Sequence, residues 1–386
     1  MFSSKELAEQ LFHSYDEWKI PAFTTHVTPS ELYAHIATLD KELVRIEEAG
    51  ESFQHRPIYH LSIGGGKRKI LLWTQMHGDE STATKAVCDV LNYLQQSSPA
   101  QQKICEELSL HFLPMLNPDG AERKTRRNAQ YLDINRDAAA CQSIEARLLH
   151  GFRLALYPEF GFNLHDQELS TVGNTKEITA LAFLAPAFDE QKSDNETRRK
   201  AKSLASFLTA TAQQFIPQQI TRYNDDYEPR AFGDRMQYFH VSTVLIEAGH
   251  AKEDREKKAI RKLNSVCLLS SLYAIATNEY SATDISMYES LPYNGKKAYD
   301  IILRKAIIKT AEEETFTNDI GISYQVDTHS EYPPKIVDIG DLSTFTALHE
   351  RDASRLVIPR ENIALQQPID INFFHTNNIE IPIAPW

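Results

Sequence analysis

Two imidazoles and two carboxylates of this chain fall where apolar strands should end, and side chains of those types can bind and use a metal ion. The first pair lies in Gln75-Met76-His77-Gly78-Asp79-Glu80, which closes the apolar run Lys69–Thr74. That run has the length and the β-branched and aromatic content of a buried strand, and Ala83, Val87, Val90, Leu91 and Leu94 follow at helical spacing. His77 and Glu80 therefore sit where a strand hands over to a helix, the place where open α/β sheets form ligand crevices. Phe160–Asp166 is a second apolar strand with a histidine, His165, at its end. An imidazole there completes a His, Glu, His set with one coordination position open, the catalytic arrangement for zinc. Asp166 is placed to orient one of the ligands. Val241–Ile246 is a third such strand and ends in Glu247, a position where a carboxylate is either paired or functional. Taken singly, the His77 stretch reads as a surface turn and His165 as a structural histidine. Recurrence at strand ends favours a site.

The elements between these points supply cations. Leu108–Leu116 reads as a strand delivering Asn117-Pro118-Asp119-Gly120, a turn by its residue types. Arg123, Lys124, Arg126 and Arg127 follow, then Asp133-Ile134-Asn135-Arg136-Asp137. In an acidic protein such clustered guanidiniums suit paired hydrogen bonds to carboxylates, with solvated surface the alternative for Lys124 and for Arg123 or Arg127. Around this core the pattern gives a helix from Thr28-Pro29-Ser30-Glu31 through Leu32, Ile36, Leu39 and Leu43, and a strand over Arg56–Ile63. Gly64–Gly66 is a turn and not a phosphate loop, because a strand follows it. Later come a helix through Ile144, Leu148, Leu149 and Phe152, a strand over Ile178–Ala187 and a helix over Asp194–Phe215. Tyr223–Pro229 is a polar-aromatic loop suited to lining a pocket, and Lys257–Thr277 is a closing helix.

The chain of 386 residues has room for one large domain and one small one. Its net charge of -12 argues against general affinity for nucleic acid or anionic membrane. Cys88, Cys105, Cys141 and Cys267 show no Cys-x-x-Cys spacing and read as reduced, buried thiols. The opening residues carry no basic-plus-apolar signal, and no apolar run is long enough to span a bilayer, so the expected compartment is the cytoplasm. Beyond about residue 285 the character changes. Helical periodicity fades after the Lys-rich Lys296–Thr310 stretch, and short alternating runs appear at Gly321–Val326, Leu356–Ile358, Ile369–Phe374 and Ile379–Ile381. The expected division is a catalytic domain over 1–285 and a small β-rich domain over 286–386.

Together the set His77-Gly-Asp-Glu80, Asn117-Pro-Asp-Gly120, Asp133-Ile-Asn135-Arg136, His165 and Glu247, in that order, resembles the zinc carboxypeptidase family of the carboxypeptidase A type. Arg56-Pro57-Ile58-Tyr59 also looks like that family, and the resemblance covers roughly residues 28 to 280. It implies an α/β fold with a mixed central sheet flanked by helices, and one zinc per chain held by His77, Glu80 and His165. It further implies that Asn135 and Arg136 hold a substrate's terminal carboxylate and that Glu247 is the general base. The arginine that polarises the scissile carbonyl is best matched by Arg126, with Arg123 and Arg127 behind it. The tyrosine that closes over substrate is matched by Tyr227 or Tyr223. Phe232-Gly233-Asp234-Arg235 falls where the family builds its specificity pocket, and Arg230 or Arg235 there would favour an acidic terminal residue. The implied substrate is a peptide with a free carboxylate. The β-rich tail also resembles the aspartoacylase and succinylglutamate desuccinylase group, which shares the ligand set and cleaves N-acyl amino acids. A non-catalytic binding protein of the same fold is a third reading, disfavoured by the complete ligand set with Glu247.

Overall fold

The computed structural model describes residues 3–365 except 22, 24, 25, 255, 325, 328, 329, 332 and 333, together with residue 369. Apart from Ile369, the runs expected at Ile369–Phe374 and Ile379–Ile381 lie outside the described residues. In chain order the first strands are β1 (Arg45–Glu51), β2 (Pro57–Ile63), β3 (Arg68–Thr74), β4 (Leu108–Leu113), β5 (Phe160–Asp166), β6 (Thr171–Val172), β7 (Leu181–Leu184), β8 (Ile220–Arg222) and β9 (Ser242–Ala248). All but β6 form one sheet in the spatial order β1-β2-β4-β3-β5-β9-β7-β8. The run β4-β3-β5-β9 is parallel, and antiparallel pairings join β1 to β2, β2 to β4 and β9 to β7. The carboxyl ends of β3, β5 and β9 thus come to one edge of the sheet, side by side.

The helices are α1 (Ser4–His13), α2 (Tyr15–Trp18), α3 (Pro29–Ile36), α4 (Thr82–Leu94), α5 (Pro99–Glu107), α6 (Pro118–Arg123), α7 (Ile144–Leu156), α8 (Glu196–Gln213), α9 (Phe232–Tyr238), α10 (Lys258–Thr277) and α11 (Ser286–Glu289). One sheet face packs Ile70, Leu72, Phe160, Phe162, Val244 and Ile246 against α4, α8 and α10. The other packs Leu71 and Trp73 against Leu149 of α7 and Phe232 and Met236 of α9. Side chains alternate along a strand, so with Phe160, Phe162 and Leu164 on the first face, His165 falls on the second. The same count places Glu247 there, because Val244 and Ile246 face the first core. Behind the sheet, Asp89 of α4 has no exposure and accepts from the Tyr15 hydroxyl (2.6 Å), the Ile20 N–H (2.8 Å) and two Arg261 nitrogens (2.8 and 2.6 Å). That cluster ties the amino-terminal segment to α4 and α10.

The second sheet follows β10 (Asn294–Gly295), which pairs with β6. It contains β11 (Ala298–Lys309), β12 (Thr315–Ser323), β15 (Lys335–Gly340), β16 (Thr346–Asp352) and β17 (Val357–Pro359), and a hairpin of β13 (Val326–Asp327) and β14 (Ser330–Glu331) stands apart. Its own core holds Ile301, Leu303, Ile320, Ile322, Ile336 and Ile358. Tyr288 and Leu291 belong to the larger core, and core membership changes between Leu291 and Tyr299.

Four expectations are corrected. Lys296–Thr310, where helical periodicity seemed to persist, is mostly the strand β11. Asn117 does not make a free turn but caps α6, its side chain accepting from the Gly120 N–H at 2.9 Å. The first long helix stops at Ile36, leaving Leu43 45% exposed in the approach to β1. The strand expected over Ile178–Ala187 is confined to Leu181–Leu184. Gly64 does make the expected turn, at φ 87°, where a Cβ would lie 2.3 Å from the Leu108 carbonyl oxygen. No helix among the described residues is long and apolar enough to cross a membrane.

Candidate metal centre and active site

The stretch after β3 is held in place before any ligand is considered. Gln75 takes a positive φ of 48°, and its side-chain nitrogen donates to the carbonyls of Gly78 (2.9 Å) and Val27 (3.2 Å). Asn117 donates to the Met76 carbonyl at 3.1 Å, so the strand-end turn after β4 braces the one after β3. Gly78 is required by this contact, because a Cβ there would stand 2.0 Å from the Gly120 carbonyl carbon. Asp119 completes the brace. It accepts from the Ser52 hydroxyl (2.7 Å), the Gln54 N–H (3.0 Å) and Arg56 (2.7 Å).

On this frame His77, Glu80 and His165 come together, one ligand atom of each within 4.8 Å of the others. His77 Nδ1 donates to Glu80 Oε1 at 2.7 Å and His165 Nδ1 to Glu80 Oε2 at 2.8 Å. The far nitrogens are engaged elsewhere: His77 Nε2 faces Asp133 Oδ1 at 3.2 Å, and His165 Nε2 lies 3.5 Å from the Asn135 amide. With Nε2 occupied, the Nδ1 atoms are the ones that converge on the carboxylate. Two imidazole nitrogens and one buried carboxylate form a donor set that fits zinc. Electrostatics agree with this. Burial opposes charge on Glu80, but His77 and then His165 outweigh it and hold the carboxyl far below its usual range. Burial likewise opposes charge on His77, but Glu80 and Asp133 raise it to about 9.

Glu247 stands beside His165 in the β5–β9 register, is 7% exposed, and its Oε2 has no hydrogen-bond partner among the described residues. Burial first, and then the Glu80 charge, push its carboxyl well above the ordinary value. A proton acceptor of raised basicity with an uncommitted oxygen is suited to general-base work. Arg126 reaches the same centre, 3.2 Å from His77 Nδ1 and 3.3 Å from Glu80 Oε1, and its Nε donates to Asp133 at 3.1 Å. The other two arginines point elsewhere: Arg123 donates to the Asp119 carbonyl (3.3 Å) and Arg127 to the Tyr131 carbonyl (2.9 Å).

Asn135 is 8% exposed, and its side-chain oxygen accepts from the Phe232 N–H at 2.9 Å, anchoring the 134–136 turn to α9. Arg136 donates to the Asn135 carbonyl (2.7 Å) and keeps a loose contact of 3.8 Å with Glu228. Glu228 in turn receives Arg230 through two nitrogens at 2.9 and 2.6 Å, so Arg230 is already paired. Arg235 stacks on Tyr238 and Phe239.

Of the two loop tyrosines, Tyr223 senses the centre. Burial and then Glu247 and Glu80 raise its hydroxyl to about 12. Burial raises the Tyr227 hydroxyl, and the charged groups it feels, Arg235, Asp234 and Asp189, include none of the ligands. Asp166 touches a ligand through its backbone. Its backbone N–H donates to Glu80 at 3.2 Å, while its carboxylate takes Thr82 (2.6 Å) and Lys257 (3.2 Å). The side chain that orients a ligand is Asp133, to which sequence reasoning assigned no role; its position in the Asp133-Ile-Asn135-Arg136 stretch was the available signal.

Comparison with known proteins bears on this geometry directly. The zinc carboxypeptidase family pattern matches residues 30–177, which include every ligand, Arg126, Asn135 and Arg136, and end before Tyr223 and Glu247. Carboxypeptidase SOL1 of Arabidopsis thaliana is 37% identical over 65 residues, covering 16% of this chain and 13% of that protein. Carboxypeptidase A4 of Mus musculus is 36% identical over 97 residues, 22% of each. The chain thus spans less than a quarter of the length of these curated relatives. A metallo-carboxypeptidase from Burkholderia cenocepacia shares the fold at a TM-score of 0.52, with 17% identity over 65% of this chain and 69% of that one. With the matched motifs standing at the strand ends described above, residues 30–177 of this chain match the zinc carboxypeptidase family.

Proposed function

We propose that the chain is a zinc metallocarboxypeptidase, hydrolysing the C-terminal peptide bond of a peptide with a free carboxylate. The observation that carries this reading is the uncommitted, buried Glu247 oxygen beside the His77, Glu80 and His165 group. Zinc held by those three residues supplies a Lewis acid that polarises a carbonyl and lowers the pKa of water to about 7. Glu247 takes the proton of the attacking water and returns it to the leaving amine. Arg126 stabilises the negative charge that develops on the scissile carbonyl oxygen, a contribution of about 3 kcal/mol in comparable sites. Asn135 and Arg136 bind the terminal carboxylate and so fix which bond lies in reach. Of Tyr227 and Tyr223, the two tyrosines that could close on substrate, we assign the role to Tyr223, whose hydroxyl feels the Glu247 and Glu80 charges. Four free thiols among the described residues suit a reducing compartment, and we place the protein in the cytoplasm on that ground.

The second sheet favours one other reading, an N-acyl amino acid amidohydrolase, because a β-rich tail accompanies the same ligand set in that group. Release of the terminal residue from a panel of peptides, run beside their amidated forms and N-acyl amino acids, tests both. Turnover of free-acid peptides only is expected. Turnover of N-acyl amino acids alone selects the second reading, and no turnover by zinc-loaded protein overturns both.

A further inference from the structure

Away from the metal centre, two arginines on different helices meet at one aromatic ring. Arg153 of α7 places its guanidinium carbon 3.9 Å from the Phe239 ring centre, and Arg235 of α9 lies 4.7 Å from the same centre. His150, one turn before Arg153, meets the ring edge-on at 5.9 Å and lies 3.4 Å from an Arg153 terminal nitrogen. Stacking uses the flat face of a guanidinium and leaves its N–H groups radiating in the plane. Each guanidinium has five such donors. Among the described residues, the one side-chain contact these two groups make through nitrogen is that of Arg153 with His150.

The missing counter-charge is what sets this pair apart. Arginines without a carboxylate are ordinary where water reaches them, but Arg153 is 9% exposed. Among the described residues the other arginine buried to that degree, Arg198 at 1%, has a counter-charge in Asp225 at 2.7 Å. Neither Arg153 nor Arg235 forms an ion pair among the described residues, and the Nε of each is buried without a partner. Two like charges stack on one ring in a protein of net charge -12. Burying a cation without a partner is costly, and an oxyanion seated between the two would remove that cost.

We propose that Arg153, Arg235 and His150 form a binding site for a phosphate-type dianion at the junction of α7 and α9, distinct from the metal centre. Two fixed positive charges match a phosphate or phosphate monoester better than a single carboxylate, and guanidinium edges pair with its oxygens two at a time. The Nε atoms are covered, so the terminal nitrogens carry the contact. The ligand would bridge two helices that share one core, since Leu149 of α7 and Phe232 and Met236 of α9 pack together.

Calorimetric titration of the zinc-loaded protein with inorganic phosphate, at constant ionic strength set with chloride, tests the site without any turnover assay. Saturable binding is expected in wild type, weakened at least ten-fold in R153Q and in R235Q. Thermal melts should show a phosphate-dependent rise in Tm in wild type that the double variant lacks. R235Q keeps the test valid should R153Q fail to fold, because Arg235 is less buried. A phosphoserine peptide run beside inorganic phosphate separates the sources. Tighter binding of the peptide identifies a phosphorylated chain as the ligand, and equal binding identifies free phosphate. Absence of saturable binding overturns the proposal, as does binding that survives in both variants, which would put the anion at the zinc. Neither outcome touches the hydrolase reading, whose test is peptide turnover.

Discussion

Glu247 and Arg136 divide the proposed reaction between moving a proton and holding a chain end, so their variants should fail in different ways. Glu247→Gln keeps the shape and an acceptor but cannot take a proton. It should lose roughly 10²–10⁴-fold in kcat, with zinc content and Tm close to wild type. Were Glu247 only balancing charge, the loss would appear in Tm and not in kcat. Arg136→Ala should raise KM for free-acid peptides by roughly 10- to 100-fold, the size of a charge-assisted hydrogen bond of about 1.5–3 kcal/mol. The contact with Glu228 sharpens this test. Its 3.8 Å separation makes it a competitor that a substrate carboxylate must displace. Glu228→Gln should therefore lower KM for the same peptides. A KM unchanged in both variants would mean that the carboxylate is held elsewhere.

At the scale of elements, the segment from Thr125 to Asp133 delivers both Arg126 and Asp133 to the centre, and Asn128 sets its shape. The Asn128 side chain accepts from the N–H groups of Gln130 and Leu132, each at 3.0 Å, and donates to the fully buried Glu145 of α7 at 3.2 Å. Burial raises the Glu145 carboxyl above its usual range, and the Asn128 hydrogen bond works against that rise. Asn128→Ala leaves several buried groups unpaired and should cost on the order of 1–3 kcal/mol, with kcat falling as Arg126 loses its fixed position. Urea unfolding and kinetics together check this, and a variant of normal stability and normal kcat removes the claim. None of this was visible in the sequence, because a loop's hub shows only once its partners are folded around it. Strand ends were readable for a simple reason: apolar runs closed by polar turns leave little choice of where a side chain goes. The same logic failed for β11. Its pairing with β12 slips between Leu303 and Ala306, and Lys305 takes a positive φ of 59°. The buried positions then run Ile301, Leu303, Ala306 and Ile308, and the three-residue step inside a strand imitates helical spacing. Tyr223 and Tyr227 were indistinguishable because loop position is not periodic. Asp133 escaped because its partner His77 is 56 residues away.

Among the described residues the second sheet has a core of its own, apart from those on the two faces of the large sheet, and His349 and Arg351 of β16 contact Glu253 of the larger part. One buried group in each part should respond to acid in opposite directions. In the larger part, His60 and His111 share a hydrogen bond of 3.0 Å between β2 and β4, and burial followed by the His60 charge lowers His111 to about 4. A histidine held below its usual 6.5 is neutral when folded and protonates more readily when unfolded. Its contribution is complete above about pH 6.5 and is lost as pH falls through about 4. In the second sheet, Asp300 is 8% exposed, accepts from the Tyr324 N–H at 2.9 Å, and is raised by burial to about 6. The protonated form is the one the fold favours, so its contribution is complete below about pH 4 and is lost as pH rises through about 6. Each group changes stability by at most about 1.4 kcal/mol per pH unit inside its window. Calorimetric melts between pH 4 and 7 should accordingly resolve two transitions. Substituting His111→Asn should flatten the acid side of the larger one, and Asp300→Asn should flatten the alkaline fall of the smaller one. A single transition throughout would show that the two parts unfold as one. An Asp300→Asn variant with the same pH slope as wild type would show that the buried carboxyl is not the group being titrated.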